Sequence, residues 1–355
     1  MTLQDLGYDE TLAQFRTENG LDSLMVGRVI SEHRDRYIVK NEEGEYECEL
    51  LGNLRFSAES RSDLPVVGDW VALSAYDRDK ALIHAVFLRH SILARQAIGK
   101  FGEKQIIASN IDFGLIVQSV NRDFNINRLE RYLTICFSSA ITPIIVITKI
   151  DLVEQSTVDG LLSKIKERIK DVPIFAISNI TGEGIEDFRK TILTNKTYCL
   201  LGSSGVGKSS LLNTLLEQNK METGAINQEI DRGRHITTHR ELIRIFQGGI
   251  LIDNPGMREV GIADASEGME TTFELIYELA NQCKFKDCSH TVEKGCAVLK
   301  AVVDEEISQS ALDNYYKMEK EKAYFSSTLQ EKRRKDRSLG KIYREIIQQK
   351  KKKKY

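Results

Sequence analysis

The sequence predicts a multidomain chain: a small antiparallel β-barrel, then a doubly wound α/β domain, then a helical domain. Three observations carry this. Short alternating strands crowd residues 21–95. From about residue 105, apolar strand runs alternate with helical periodicity, as in a parallel sheet covered on both faces. Beyond residue 262, apolar residues recur at helical spacing around a cluster of cysteines and a histidine. The expected units are a helix and linker at 1–20, the barrel at 21–95, the α/β domain at 96–262 and the helical domain at 263–355.

Composition sets bounds. A chain of 355 residues has room for two or three domains, and 41% hydrophobic with 29% charged residues is that of a soluble globular protein. No run of about 18 apolar residues occurs, so no membrane helix and no membrane partner are expected. The stretch Met1–Glu10 is acidic and lacks the apolar segment of a secretory signal, which points to the cytoplasm. Charge is uneven. Residues 332–355 hold 12 Lys/Arg against 2 Asp/Glu, or +10, which leaves −12 on the rest of a chain of net charge −2. A basic tail on an acidic body suits a polyanionic partner.

In the barrel region, strands are expected at 26–30, 37–40, 45–50, 70–73 and 82–87. Turn residues separate them at 41–44, 52–53, 67–69 and 77–79. Five short strands in so little chain suggest an OB-fold, a barrel often used on single-stranded or structured RNA. Arg28, Arg34, Arg36, Arg55, Arg61 and Arg89 are the candidate RNA contacts.

In the α/β region, strands are expected at 113–118, 142–148, 173–178, 197–201, 241–246 and 249–253. Helices are expected at 127–139, 157–170, 184–194 and from 210 to 216. Cys48, Cys136 and Cys199 lie inside apolar runs and read as small buried thiols.

Residues 202–210, Gly202-Ser203-Ser204-Gly205-Val206-Gly207-Lys208-Ser209-Ser210, match G-x-x-x-x-G-K-[ST] between an apolar strand and a helix. Glycines let successive N–H groups turn inward on a phosphate, and the helix N-terminus favours the anion. Lys208 is expected on the β/γ-phosphates and the Ser209 hydroxyl on Mg²⁺. Thr148-Lys149-Ile150-Asp151 resembles the guanine motif [NT]-K-x-D. A carboxylate at Asp151 can accept from both guanine N1–H and the exocyclic amine, a donor pair that adenine lacks. Thr148 stands where Asn is usual. Ser178-Asn179-Ile180-Thr181-Gly182-Glu183-Gly184 resembles the loop that closes on guanine O6 through a backbone N–H, with Asn179 in place of the usual Ala. Asp253-Asn254-Pro255-Gly256 resembles D-x-x-G, with Asp253 towards Mg²⁺ and the Gly256 N–H towards the γ-phosphate. In 231–239, Thr237 or Thr238 is expected to complete the Mg²⁺ shell, with Thr238 preferred.

The order of these segments is unusual. Guanine motif and closing loop precede the phosphate loop, and D-x-x-G comes last. A chain cut and rejoined at exposed termini can still form the same sheet, so the central domain reads as a circularly permuted P-loop GTPase domain.

At the end of the chain, Cys283-x4-Cys288-x-His290-x5-Cys296 offers three thiolates and an imidazole within 14 residues, a full tetrahedral Zn²⁺ set with no open position and hence a structural site. Residues 303–349 read as long helices with Tyr315, Tyr316, Phe325 and Leu329 as packing positions.

Permuted order, preceding barrel and trailing Cys/His segment together resemble the ribosome small-subunit-dependent GTPase A family. The resemblance spans roughly residues 21–350 and extends to Gly68-Asp69-Trp70-Val71, Leu93-Ala94-Arg95, Arg232–His239 and Arg333–Lys341. It implies zinc at the same four ligands and a GTP hydrolase that switches in late small-subunit maturation. It also implies that the subunit and its rRNA are the partners, with GTP or GDP bound and the protein monomeric. Met257 occupies the place where Ras-like enzymes carry a water-orienting Gln, and a thioether orients water poorly. Unaided turnover should therefore be slow. His235, then His239, or the partner itself would supply the missing group. The alternatives are an RNA-binding assembly factor that binds GTP with little turnover, and a small-molecule kinase or ATPase.

Overall fold

The computed structural model describes residues 1–33, 36–96, 104–121, 124–216, 241–253 and 266–326. The barrel consists of β1 (Met25–His33), β2 (Arg36–Lys40), β3 (Glu45–Leu50), β4 (Trp70–Asp77) and β5 (Lys80–Val86). They run in the order β1-β2-β3-β5-β4 and close through β1 against β4, with β3 and β5 parallel, which is the expected OB arrangement. Period-two burial explains the strands. Tyr37 and Val39 of β2, Tyr46 and Cys48 of β3, and Ala81 and Ile83 of β5 all point into one core with Val29, Val71 and Leu73. Between β3 and β4 the expected turn at Gly52 opens a short helix, α2 (Gly52–Ser57), the second of the chain after α1 (Glu10–Glu18).

The N-terminal stretch is more than a linker. Asp9 caps α1 by accepting from the Leu12 N–H at 3.0 Å, and Leu6, Leu12 and Phe15 pack with Trp70 and Phe87 on the outside of the barrel.

Two of the candidate RNA contacts are structural instead. Arg28 is 1% exposed. Its guanidinium donates to Gly68 O, Leu6 O, Asn110 O and Thr197 Oγ1, because β1 places it where the barrel meets the next domain. Arg89 forks onto buried Asp69, Nε to Oδ1 at 2.8 Å and Nη2 to Oδ2 at 2.6 Å. The stretch Gly68-Asp69-Trp70 thereby gains a reason: a Cβ on Gly68 would lie 2.2 Å from Ser109 O. Arg55 and Arg61 are exposed, Arg36 pairs with Glu47 at the surface, and Arg34 lies outside the described residues.

A hairpin of β6 (Ile92–Gln96) and β7 (Lys104–Ser109) follows. Then come β8 (Phe113–Ser119), α3 (Ile126–Ser138), β9 (Thr142–Thr148), α4 (Gln155–Arg168), β10 (Ile174–Ile177), α5 (Ile185–Arg189), β11 (Thr197–Leu201), α6 (Lys208–Leu216), β12 (Glu241–Arg244) and β13 (Ile250–Asp253). The sheet order is β10-β9-β8-β11-β13-β12, parallel except for β12. Leu115 and Val117 of β8 face α5 and α6, while Ile116 faces α3 and α4, so near-continuous apolar strands serve two cores. The thiols of Cys48, Cys136 and Cys199 are buried as expected, and burial raises those of Cys48 and Cys199 to about 12. A bridge between Ser31 and Glu241 joins β1 to β12, so barrel and domain share one continuous 11-stranded sheet.

The last described unit holds α7 (Ser266–Thr272), α8 (Glu274–Ala280), α9 (Ala297–Val303) and α10 (Gln309–Ser326) around Met269, Phe273, Ile276, Val298, Leu312 and Met318. The expected long helices begin later than residue 303, since a break separates α9 from α10. Tyr315 and Tyr316 do pack against this core, whereas the Phe325 side chain, Leu329 and the basic tail lie outside the described residues. The unit docks on α3. Thr134 Oγ1 donates to Thr272 Oγ1 at 2.9 Å, and a Cβ on Gly268 would meet Thr134 O at 2.2 Å. Among the described residues no helix is long and apolar enough to cross a membrane.

Candidate functional site

All the nucleotide segments that the structure describes end at the carboxyl edge of the parallel sheet. The chain runs β8, β9, β10 towards one edge and returns to place β11 on the other side of β8. Ligands bind at such a switch point, outside the carboxyl ends of the strands. Thr148 ends β9, Ser178 follows β10, Gly202 follows β11 and Asp253 ends β13. Segments scattered over more than 100 positions of sequence thus become neighbours.

The phosphate loop has the shape its glycines were expected to give. Gly202, Gly205 and Gly207 have φ of 150°, 79° and 96°, and a Cβ on Gly202 would sit 2.4 Å from Val117 O. Lys208 Nζ donates to Gly202 O at 2.8 Å and to Ser203 O at 2.6 Å, holding its ammonium across the mouth of the loop. Ser204, Ser209 and Ser210 are exposed at or beside it, and Val206 is buried beneath.

The guanine motif braces the same loop. Thr148 Oγ1 donates to Val206 O at 2.5 Å, and Lys149 Nζ donates to Gly205 O at 2.6 Å from a left-handed turn at φ 61°. Ile150 turns its side chain into the core instead, beside Ile147 and Val158. Asp151 Oδ1 accepts from Ser178 Oγ at 2.5 Å, and Ser178 Oγ in turn accepts from the N–H groups of Ile180 and Thr181 at 3.2 and 3.1 Å. The closing loop therefore aims the carboxylate. Gly184 allows the approach, since a Cβ there would lie 2.1 Å from Ala176 O. Asn179 Oδ1 accepts from Thr214 Oγ1 at 3.0 Å on α6.

At the end of β13, burial raises the Asp253 carboxyl above its ordinary range, and the Lys208 ammonium opposes the shift. Arg128, at the start of α3, donates from Nη1 to Ser203 Oγ at 3.1 Å, a contact that no motif announces. His235, Thr237, Thr238, His239, Gly256 and Met257 lie outside the described residues.

Cys283, Cys288, His290 and Cys296 form one cluster whose ligand atoms all lie within 4.8 Å of one another. Cys283 Sγ is 3.8 Å from Cys296 Sγ, and both are 3.5 Å from His290 Nδ1. Tetrahedral zinc, with Zn–S near 2.3 Å and Zn–N near 2.0 Å, requires edges of about 3.8 and about 3.5 Å. The donor set and its spacing fit that ion. The Ala297 and Leu299 N–H groups donate to the sulfurs of Cys283 and Cys296 at 3.4 Å, contacts that favour thiolate.

Comparisons with known proteins agree with this geometry. A family model described as RsgA GTPase matches residues 86–263, and one described as 50S ribosome-binding GTPase matches residues 197–334. The second match opens at the first residue of β11, the strand before the phosphate loop, where an unpermuted GTPase chain would begin. "Small ribosomal subunit biogenesis GTPase RsgA 2" of Listeria monocytogenes serotype 4b is 41% identical over 325 residues, covering 91% of this chain and 90% of that protein. The crystal structure of YjeQ from Thermotoga maritima superposes with a TM-score of 0.62 at 27% identity, over 82% of this chain and 96% of that one. YloQ, described as a circularly permuted GTPase, gives 0.60 at 25% identity, over 86% and 97%.

Proposed function

The chain belongs to the RsgA family of GTPases, and on that premise we propose that its hydrolysis of GTP acts as a switch in late maturation of the small ribosomal subunit. One observation carries the reading most: a sequence in permuted order still delivers phosphate loop, guanine motif, closing loop and Asp253 to one edge of one sheet. Asp151, aimed by Ser178, is the guanine reader. The loop from Gly202 to Ser210, with Lys208, is the phosphate cradle. Ser209, Asp253 and Thr238 are the residues to hold Mg²⁺, which would neutralise charge between the β- and γ-phosphates. His235 or His239 would orient the attacking water, in place of the Gln that Met257 displaces. Zinc in the Cys₃His cluster would be structural, since four protein ligands leave no open position.

The partner is the small subunit, bound by a monomer in the cytoplasm. The barrel and the basic residues 332–355 would meet rRNA phosphates. GTP would hold the switch segment ordered and the protein bound, and hydrolysis would release it. The test is the affinity of the full chain for purified small subunits with a non-hydrolysable GTP analogue and with GDP. A switch predicts binding at least about tenfold tighter with the analogue, a coupling within the usual range. Equal affinities would leave a GTPase without a switch.

A further inference from the structure

Two departures from the nucleotide motifs meet in space. Thr148 replaces the usual Asn of the guanine motif, and Asn179 replaces the usual Ala of the closing loop. A Cβ built on Gly207 of the phosphate loop would lie 3.4 Å from Thr148 Oγ1 and 3.9 Å from Asn179 Nδ2, so both side chains border the same point. Thr148 has nothing to give a base there. It is fully buried, and its single proton lies on Val206 O at 2.5 Å. Asn179 is half-buried. Its Oδ1 lies 3.0 Å from Thr214 Oγ1, whose single proton Ser210 O shares at 3.0 Å, and its Nδ2, a group with two protons, lies on the side of Gly207. Among the described residues Nδ2 has no acceptor of its own.

Guanine carries two acceptors on the edge away from Asp151, O6 and N7. The backbone N–H of the closing loop answers O6 in the reading above, which leaves N7. We propose that Asn179 donates to guanine N7, supplying from the closing loop the carboxamide that position 148 has lost. The two exchanges then divide the work: Thr148 ties the phosphate loop through Val206 O, and Asn179 presents a donor to the base. This rests on the guanine-site reading and adds a specificity-determining residue to it.

The test titrates the nucleotide-free full chain with GDP and with 7-deaza-GDP, in which a carbon replaces N7. The wild type should prefer GDP by about five- to tenfold, the worth of one neutral hydrogen bond. Asn179→Ala should abolish the preference by weakening GDP alone, and Asn179→Asp, which keeps the shape but not the donor, should abolish it too. Adding Thr148→Asn to Asn179→Ala should restore it. Thermal melting without nucleotide checks that the variants fold. A wild type without the preference, or a preference that survives in both Asn179 variants, overturns the proposal and leaves the guanine site standing. GDP binding that is unchanged by Lys208→Ala overturns the site reading itself, and the proposal with it.

Discussion

Asp151 brings one carboxylate to the carboxyl edge of the sheet, and Ser178 decides where it points. Its two oxygens suit the adjacent N1–H and amine of guanine. Asp151→Asn replaces one acceptor with a donor, so guanine should lose while xanthine, with a carbonyl at C2, should gain. Losing one charged hydrogen bond and setting donor against donor should cost GDP about a hundredfold in affinity. Titration of the variant with GDP and XDP reads both changes, and retained GDP preference would mean that Asp151 does not read the base. At this scale the sequence was legible where chemistry restricts residue type. Lys208 and Asp151 stand at the same edge of the sheet, and Cys283, Cys288, His290 and Cys296 gather into one cluster. Arg28, a candidate RNA contact by sequence, is buried instead, and a lone arginine on an alternating strand carries no sign of that. Its partners stand 22 to 169 positions away. Burial lowers its pKa to about 10, with Asp112 and Asp69 opposing. The Arg128 contact with Ser203 is equally silent in the sequence, for it arises only when β8 and β11 become neighbours.

Among the elements, α3 has the widest reach. Its first turn touches the phosphate loop through Arg128, its middle packs on the sheet, and its exposed side receives the helical domain. Glu130, 3% exposed, accepts from Arg168 Nη2 at 2.7 Å and from Asn314 Nδ2 at 2.5 Å, which locks α3, α4 and α10 together. Desolvation raises the Glu130 carboxyl, and Arg168 and Asn314 oppose it. A metal clip suits so small a helical unit, since binding free energy there is folding free energy. One zinc per chain by elemental analysis is expected. Chelation should lower the melting temperature and speed hydrogen exchange first around residues 283–296. Unchanged exchange there after metal removal would contradict a structural clip. Elements with strong period were readable from sequence: β9 and β11 have the expected bounds, and α3 differs by one residue at each end. The β6–β7 hairpin was not, because Ile92–Gln96 offers too brief an alternation to stand out, and its pairing partner begins eight residues later.

At the level of the whole molecule, the barrel and the GTPase domain are joined rather than tethered. The Ser31–Glu241 bridge continues one sheet into the other, and Arg28 ties the N-terminal segment, the Gly68 turn and Thr197 at the root of the phosphate-loop strand. A buried charge stripped of its partners costs about 3–5 kcal/mol. Movement of the barrel away from β11 would therefore have to break that set at once. An RNA surface on the barrel and the nucleotide site would then share a rigid frame, as a partner-triggered GTPase needs. The permuted order was fully legible, because each motif names its own place in the sheet whatever its place in the chain. The most direct measurement is GTP turnover by the full chain, alone and with saturating purified small subunits. Met257 in place of a water-orienting Gln predicts slow release of phosphate alone and stimulation by the subunit of at least about tenfold, abolished by Lys208→Ala. Turnover that the subunit leaves unchanged would contradict a GTPase triggered by its partner.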